Sequence, residues 1–467
     1  MKKMKWVALV LTTAMAVGVF SGCNGSQSVG KDEKVQVTVS NWPNKNADPK
    51  NYELWETRRT EFMEANPDIE IVPDEWQFDL KTFLPKAEGG TLPTIYQSFY
   101  TEAKKIKEFK YAADITQQAR EYGFYDNINE HILDSVSENG KIYLIPQSVY
   151  TMGLFINMRL FREAGLMDEN DTPIIPQTWE ELAETSRVIK EKTGKAGFVF
   201  PSAENGGGWI FTVLGWSFGT NFMEQKDGKW VSTFASPEGV ATLQYLKDLK
   251  WKDNVLPANA KINNAEVVRL LATDQAAMAL VHSGQLDGFH TQYGMSFEDI
   301  AYAKLPAGPQ KRVTLMGGGY FAFAPESTPE QIDAGFKWLK FMNQISSPDI
   351  DDAEKNRLDT VYKTRAEEGN MIIGVQELSI WKEAAPSEEY RHGLITQYAN
   401  VKPNHVETYN DKNGIEYQVE EPVCAQDLYA ILDSCIQEVF TKQDADSQAL
   451  LQKASADFQS NFLDYEK

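Results

Sequence analysis

The first candidate for covalent chemistry in this sequence is Gly215–Gly219, a glycine-x-serine-x-glycine pattern. At a hydrolase nucleophile elbow, such a pattern follows a strand and opens a helix, which lifts the serine into a strained turn. Ile210–Leu214 could form the strand. After Ser217, however, the chain continues into Asp227-Gly228-Lys229, which is typical of a hairpin and not of a helix. We therefore expect Ser217 to cap or line the end of a helix and to take no part in catalysis.

Paired carboxylates are a second possible chemistry. Glycoside hydrolases use two acids that lie roughly 5–10 Å apart across the scissile bond. Glu75, Asp79 and Glu204 have the right residue type, but nothing in their spacing places two of them at that separation. A carbohydrate-active hydrolase is therefore kept as an alternative.

Metal binding and disulfide formation have little support. The histidines are scattered and form no HExxH motif; they are His131, His282, His290, His392 and His405. The run Asp349–Asp352 lacks the glycine and distal glutamate of a calcium loop, and we interpret it as a solvated helix start. The stretch Ala425–Phe440 has a helical pattern, which separates the thiols of Cys424 and Cys435 by roughly 16 Å. We expect free thiols, no metal and no cofactor.

Aromatic and amide side chains are concentrated where short β-branched segments end. They are Asn41, Trp42, Glu75, Trp76, Gln97, Ser98 and Tyr100. Large aromatic residues are costly to expose at strand ends, so either they pack beneath neighbouring loops or they serve a binding site.

The elements that position these residues alternate between strand and helix. The pattern predicts strands at Val35–Ser40, Ile69–Val72 and Thr94–Tyr96, with helices at Tyr52–Ala65 and Asp79–Ala87. Two successive βαβ units predict an α/β fold with a parallel sheet covered by helices on both faces. Ligands of such sheets bind beyond the carboxyl ends of the strands, where the aromatic and amide residues lie.

Composition sets limits on size and partners. The chain has 467 residues, enough for two domains, and a formal net charge of −21. No Lys/Arg-rich run offsets this charge locally, so we exclude nucleic acid as a partner.

The N-terminus has the pattern of an export signal. Lys2, Lys3 and Lys5 precede an apolar stretch from Trp6 to Phe20, and Ser21-Gly22-Cys23 then resembles a bacterial lipobox. We predict a signal peptide at 1–22, a lipidated Cys23 and a flexible tether over 23–34, which anchor the protein to the outer face of the cytoplasmic membrane. The alternative is ordinary cleavage with Cys23 unmodified.

A series of segments, in this order, carries a more specific resemblance. They are Phe62–Val72 (FMEANPDIEIV), Gly90–Tyr96 (GTLPTIY), Asn139–Leu166 (NGKIYLIPQSVYTMGLFINMRLFREAGL), Pro176–Leu182 (PQTWEEL), Ser236–Lys250 (SPEGVATLQYLKDLK), Ala276–Gly284 (AAMALVHSG) and Gly317–Ala324 (GGGYFAFA). Together they resemble the extracellular solute-binding proteins of sugar ABC importers, the maltose-binding type.

The resemblance implies a two-lobe fold of the periplasmic-binding-protein type II, with a ligand cleft between lobes joined by crossover strands. It implies a first lobe of 35–147 plus 305–345 and a second of 148–304 plus 346–467. Crossings are expected near Ser148–Thr151, Lys304–Ala307 and Asp359–Arg365. The implied function is non-enzymatic: a monomer captures a carbohydrate and delivers it to an ABC transporter permease. A surface glycan-binding lipoprotein without a transport role is a further alternative, and peptide, polyamine or metal ligands are not excluded by composition.

Residues at the strand ends and in the matching segments are the expected ligand contacts. They are Asn41, Trp42, Trp76, Gln97, Tyr100, Gln147, Tyr150, Asn205, Trp209, Trp216, His282, Gln285, Gly318, Tyr320 and Trp381. Aromatic rings suit the CH faces of a pyranose, while amides and carboxylates suit its hydroxyls. Many relatives have a sugar-stacking tryptophan where this chain has Gln285, so Trp209, Trp216 or Trp381 is expected to replace it. We assign Trp55, Trp251 and Trp338 to core packing.

Overall fold

The computed structural model describes residues 34–466, so the predicted signal peptide and Cys23 lie outside the described residues. The strands are β1 (Val35–Val39), β2 (Ile69–Pro73), β3 (Ile95–Phe99), β4 (Ser137–Glu138), β5 (Lys141–Ile142), β6 (Leu144–Asn157), β7 (Ala196–Phe198), β8 (Met223–Lys226), β9 (Lys229–Ser232), β10 (Ala276–His282), β11 (Ile300–Ala303), β12 (Val313–Phe323) and β13 (Glu416–Gln418).

The helices follow the same chain order. They are α1 (Pro49–Ala65), α2 (Leu80–Glu88), α3 (Ala103–Glu108), α4 (Thr116–Glu121), α5 (Glu130–Val136), α6 (Met158–Ala164), α7 (Trp179–Thr193), α8 (Gly206–Phe218), α9 (Pro237–Trp251), α10 (Asn264–Ala272), α11 (Leu286–Thr291), α12 (Pro329–Phe341), α13 (Asp352–Glu368), α14 (Pro386–Tyr398), α15 (Pro403–Asn410), α16 (Ala425–Thr441) and α17 (Ser447–Asn461). None of the helices within 34–466 combines the length and apolar content that a membrane crossing requires.

The first lobe is built on β1, β2 and β3, which pair in parallel in the order β2-β1-β3. Its local structure follows from sequence signals. Asp48 caps α1 by accepting a hydrogen bond from the Asn51 backbone N–H, Pro49 occupies the first turn, and Asn66 ends the helix before Pro67. Helices on both faces of this sheet then enclose one hydrophobic core.

Strands β6 and β12 connect the lobes. Residues Leu144–Thr151 of β6 pair with β12, whereas Met152–Asn157 pair with β10 and β11 of the second lobe. On β12, Leu315 packs in the core of the second lobe and Met316 in that of the first. The two strands therefore pass from one lobe to the other side by side.

The second lobe has a sheet that is buried on both faces. Strand β10 runs antiparallel to β6 and parallel to β7, and every residue from Ala276 to Val281 is buried. Separate apolar clusters cover its two faces. A continuous apolar strand is what a sheet covered on both sides requires. The predicted α/β fold with two lobes and crossover strands is confirmed, while the predicted residue bounds of the lobes stay a prediction.

Several predicted local features differ from the structure. Asp359–Arg365 lies inside α13 and is not a crossing segment, because Asp351 caps a helix that continues to Glu368. The run 304–307 follows β11 within the second lobe, and the chain crosses back only in β12. In contrast, Ser148–Thr151 lies at the crossover, and the acidic run before α13 is a helix start, as predicted.

Candidate ligand-binding cleft

Two adjoining cavities lie between the lobes, with volumes of about 510 and 320 Å³. They share Phe99 and Thr101 from the first lobe and Gln426 from the second. The larger cavity extends along α2 and the segment Glu421–Asp427, and the smaller extends to Tyr150 and the start of α8. Each volume is within the range of small-molecule sites, and both lobes contribute residues to each cavity.

The first-lobe wall presents an aromatic surface. Phe99, the last residue of β3, is 55% exposed although it is a large apolar side chain. Its ring packs edge-on against Phe78 at 5.5 Å, and Phe78 in turn packs against Phe83 at 4.9 Å. One side of the Phe99 ring therefore packs against Phe78, while the other side is exposed to the cleft.

The floor of the cleft is formed where β12 contains three successive glycines. A Cβ atom at Gly317 would lie 2.4 Å from the Tyr150 ring, and one at Gly318 would lie 2.0 Å from the Ser148 carbonyl oxygen. The absence of side chains here lets Tyr150 lie across the strand, with its ring 5.0 Å from that of His282. Burial raises the pKa of Tyr150, so its hydroxyl stays protonated and can donate to a ligand.

The second-lobe wall is the N-terminus of α8. The backbone N–H groups of Asn205 and Gly208 donate to the two carboxylate oxygens of Asp433 at 2.8 and 2.7 Å. A Cβ at Gly208 would lie 2.2 Å from the Tyr429 carbonyl oxygen, so glycine is required for α16 to approach this closely. The positive end of the α8 dipole is thus neutralised by a carboxylate of the protein itself.

Carboxylates dominate the titratable residues of both cavities. They are Asp79, Glu102, Glu204, Glu420, Glu421, Asp427 and Glu466, against the cations Lys81 and Lys105. Tyr429 donates to Glu420 at 3.0 Å, and the Trp216 indole donates to Glu421 at 3.0 Å. Burial raises the pKa of Glu421 to about 7 and also raises the pKa of Glu420. The cleft therefore favours hydrogen-bonding groups of neutral or positive charge.

The predicted contact residues fall into three groups. Those that line the cleft are Tyr150, Asn205, Trp209 and Gly318. A second group forms a layer behind the lining: Trp76, Tyr100, Trp216 and His282 contact lining residues, and Gln285 and Tyr320 contact His282 and Tyr100 in turn. In this layer Tyr100 and Tyr320 stack at 4.1 Å, and the Gln285 side chain accepts from the His282 backbone N–H. Asn41, Gln97 and Gln147 line neither cavity; Asn41 bonds to Gln97, and Gln147 lies beside Gly319.

Trp42 and Trp381 form the third group, and their expected position in the cleft is corrected. Trp42 is 1% exposed and stacks on Trp338 at 5.9 Å, because α12 covers the end of β1. Trp381 is buried against Phe124 at 4.8 Å, and its indole donates to the Ser346 hydroxyl. Both rings pack in the first-lobe core and line neither cavity.

The glycine-x-serine-x-glycine pattern lies at the end of α8. A nucleophile elbow requires a strand before the serine, and here the preceding residues are helical. Ser217 is buried, donates to the Leu214 carbonyl at 2.6 Å and accepts from the Trp179 indole at 2.8 Å. The predicted hairpin follows as β8 and β9. Ser217 is therefore a structural hydrogen-bonding residue without access to a substrate.

Some lining residues were not singled out from the sequence. Phe99 lies between the predicted contacts Gln97 and Tyr100, and its exposure separates it from its neighbours. No local sequence pattern marks Glu420, Glu421 and Gln426 as cleft residues. They line the cavities because the chain returns to the cleft at the start of α16.

Comparison with known proteins places this geometry in context. Residues 46–344 match the family model described as bacterial extracellular solute-binding protein. The arabinooligosaccharide-binding protein of Bacillus subtilis is 25% identical over 281 residues, which cover 55% of this chain and 57% of that protein. The sn-glycerol-3-phosphate-binding periplasmic protein of Escherichia coli K12 is 25% identical over 241 residues, covering 48% and 52%. The chain thus spans about half the length of the curated relatives it matches.

Among solved structures, the cyclic alpha-maltosyl-1,6-maltose binding protein from Arthrobacter globiformis superposes with a TM-score of 0.63 at 21% identity. The alignment covers 92% of this chain and 99% of that one, so the shared fold extends across both lobes. Since the family model covers well over half of the sequence, the chain belongs to the bacterial extracellular solute-binding protein family.

Proposed function

We propose that this protein captures a carbohydrate, in particular an oligosaccharide, in the cleft between its lobes and delivers it to the permease of an ABC importer. The observation that carries the proposal is the exposed Phe99 ring facing a cleft lined by carboxylates, amides and the Tyr150 hydroxyl. A flat apolar surface surrounded by hydrogen-bonding groups suits the CH face and hydroxyl rim of a sugar ring. Two adjoining cavities suit more than one ring.

The family also contains a relative named for sn-glycerol-3-phosphate, and the charge of the cleft argues against such a ligand here. An anion needs cations or free backbone N–H groups. The N–H groups of Asn205 and Gly208 at the start of α8 are bonded to Asp433, and carboxylates outnumber lysines along the cleft. A phosphate would therefore meet repulsion where a neutral sugar meets hydrogen-bond acceptors.

A binding assay distinguishes these ligands. Purified mature protein is screened by thermal shift against neutral oligosaccharides of different linkage and against sn-glycerol-3-phosphate, and positives are measured by calorimetry. We expect at least one neutral oligosaccharide to bind and the phosphate not to bind. Preferential binding of sn-glycerol-3-phosphate would contradict the proposal. Incubation with the bound sugar, followed by chromatography, checks the alternative of a carbohydrate-active hydrolase, for which we expect no cleavage.

The proposal includes a lipid anchor at Cys23 and a monomer on the outer face of the cytoplasmic membrane. Support comes from the charged N-terminus, the apolar stretch and Ser21-Gly22-Cys23. Cys23→Ala should release the protein from the membrane fraction or block its processing. Unchanged membrane retention together with an unchanged mature mass would contradict the anchor. A surface glycan-binding protein without a transport role is distinguished by deleting the gene of this protein and measuring uptake of the bound sugar, which should be lost only if the protein serves an importer.

A further inference from the structure

Glu102 forms no salt bridge within the described residues. Glu102 follows β3 in the first lobe, lines the larger cavity and is 8% exposed. The lysines next to it are engaged elsewhere: Lys104 pairs with Glu108 at 3.6 Å, and Lys107 donates to backbone carbonyls at 2.7 and 2.9 Å. Within 34–466, Lys105 lowers the pKa of Glu102 through its charge but forms no salt bridge with it. A carboxylate this buried is costly unless a positive group compensates it.

Other carboxylates face Glu102 from the second lobe across the cleft. Glu421, Asp427 and Glu466 line the same cavity, and Glu420 lines the adjoining one. Burial is the main cause of the raised pKa of both Glu102 and Glu420, and the charges of Glu466 and Glu102, respectively, add smaller contributions. Because Glu102, Glu421 and Glu466 line one cavity and Glu420 the adjoining one, carboxylates of the two lobes face each other with their charges of the same sign. A cation between the lobes would relieve this repulsion.

The size and composition of the site favour an organic cation over a metal ion. Within residues 34–466, no three acidic, histidine or cysteine side chains are grouped closely enough to hold a metal. The adjoining cavities have room for several sugar rings, and Phe99 supplies an apolar face next to Glu102. A ligand that combines a ring with a protonated amine would use both features.

We propose that the cleft contains a subsite for a protonated amine, formed by Glu102 of the first lobe and Glu420 and Glu421 of the second, and that the ligand is an amino-substituted oligosaccharide. This inference rests on the proposed carbohydrate-binding function and narrows its ligand class. The ammonium group accepts no hydrogen bonds and donates three, which matches carboxylates that approach from both lobes. Binding of the amine would also draw the lobes together, because its partners lie on opposite sides of the cleft.

The test uses matched pairs of ligands. Glucose tetrasaccharides with α-1,4, α-1,6 and β-1,4 linkages are each compared with a counterpart in which one 2-hydroxyl is replaced by an amine. Affinities are measured by calorimetry at pH 7 in low and high salt, with spermidine as an amine that lacks a ring. We expect the amine-bearing member of at least one pair to bind about tenfold more tightly than its neutral partner, since hydrogen bonds to charged groups are the stronger class. Salt should reduce the difference.

Variants test whether the carboxylates cause the preference for amine-bearing sugars. Glu102→Gln keeps the shape and removes the charge, so it should abolish the amine preference, measured as the ratio of the two affinities within a pair. Glu108→Gln, an exposed acid on α3, is the matched control and should retain the preference. Glu420→Gln provides the same readout from the second lobe if Glu102→Gln fails to fold.

The outcomes separate the two proposals. Equal affinities within every pair, or a preference that persists in both Glu102→Gln and Glu420→Gln, would overturn the amine subsite and leave carbohydrate binding intact. Binding of no oligosaccharide, either in these pairs or in the wider linkage screen, would overturn both, with or without binding of spermidine.

Discussion

The indole Nε1–H of Trp216 donates a hydrogen bond of 3.0 Å to the carboxylate of Glu421, across 205 residues of sequence. The bond joins α8 to the segment that lines the cleft before α16. Glu421 is 7% exposed, and burial, opposed by this hydrogen bond, raises its pKa from 4.5 to about 7. A carboxyl group in the ligand cleft is thus partly protonated near neutral pH.

We expect the Glu421 carboxyl to make folding stability depend on pH. Because its pKa is higher in the folded state, its stabilising contribution is fully present below pH 4.5 and is lost as the pH rises towards 7. Glu421→Gln, which keeps an acceptor for Trp216, should be more stable than the wild type by up to about 3 kcal/mol above pH 7 and should differ least near pH 4. Urea denaturation across pH measures this. Glu389→Gln, an exposed acid, is the control, and superimposable profiles of Glu421→Gln and wild type would contradict the expectation.

Phe99 should contribute directly to ligand affinity. Truncation in Phe99→Ala removes the exposed ring from both cavities, and we expect a loss of about 1.5–3 kcal/mol, or roughly ten- to a hundredfold in affinity. Phe109→Ala is a matched control, since Phe109 is 51% exposed but lines neither cavity. Calorimetry with the ligand identified by screening provides the comparison. Equal losses of affinity in the two variants would show that Phe99 does not contact the ligand.

Trp42 and Trp209 should differ in what their truncation changes. Trp42→Ala leaves a void beside Trp338 and should lower the free energy of unfolding by about 3–5 kcal/mol. Trp209 lines the smaller cavity, so Trp209→Ala should weaken ligand binding in a folded protein. Denaturation curves and calorimetry on both variants separate the effects. A stable Trp42→Ala variant that binds ligand poorly would restore the original prediction that Trp42 faces the cleft.

Ser217→Ala should reduce stability without changing binding. The substitution leaves the buried Trp179 indole without its acceptor, which costs about 1–3 kcal/mol. Ligand affinity should be unchanged, and neither protein should hydrolyse an ester substrate. An esterase activity that disappears in Ser217→Ala would contradict both the buried position of Ser217 and the binding function.

Ligand should close the cleft by bending β6 and β12. Strand β6 pairs with β12 up to Thr151 and with β10 from Met152 onwards. On β12 the side chains change from the second-lobe core to the first-lobe core between Leu315 and Met316. Reversing a population that is only about 1% closed requires roughly 5.5 kcal/mol of preference for the closed form. Small-angle scattering should show a smaller radius of gyration at saturation. An unchanged radius would mean that the cleft is preformed.

Much of the fold could be predicted because its signals are local. Pro67 ends α1, Thr178 caps α7, and the apolar run Ala276–Val281 forms a strand buried on both faces. Such signals act over a few residues, and the order of strands and helices follows from them. The family resemblance, carried by the same segments, then indicated two lobes and a cleft.

The identity of the cleft residues was decided only by tertiary structure. Trp42 and Phe99 both stand at the ends of first-lobe strands, yet Trp338 covers one ring and nothing in the described chain covers the outer face of the other. Glu421 lies more than 300 residues from Glu102, and the two line one cavity because α16 returns to the cleft. Burial and pKa depend on neighbours that are distant in sequence, so a residue type at a strand end predicts that a site exists but not which side chains form it.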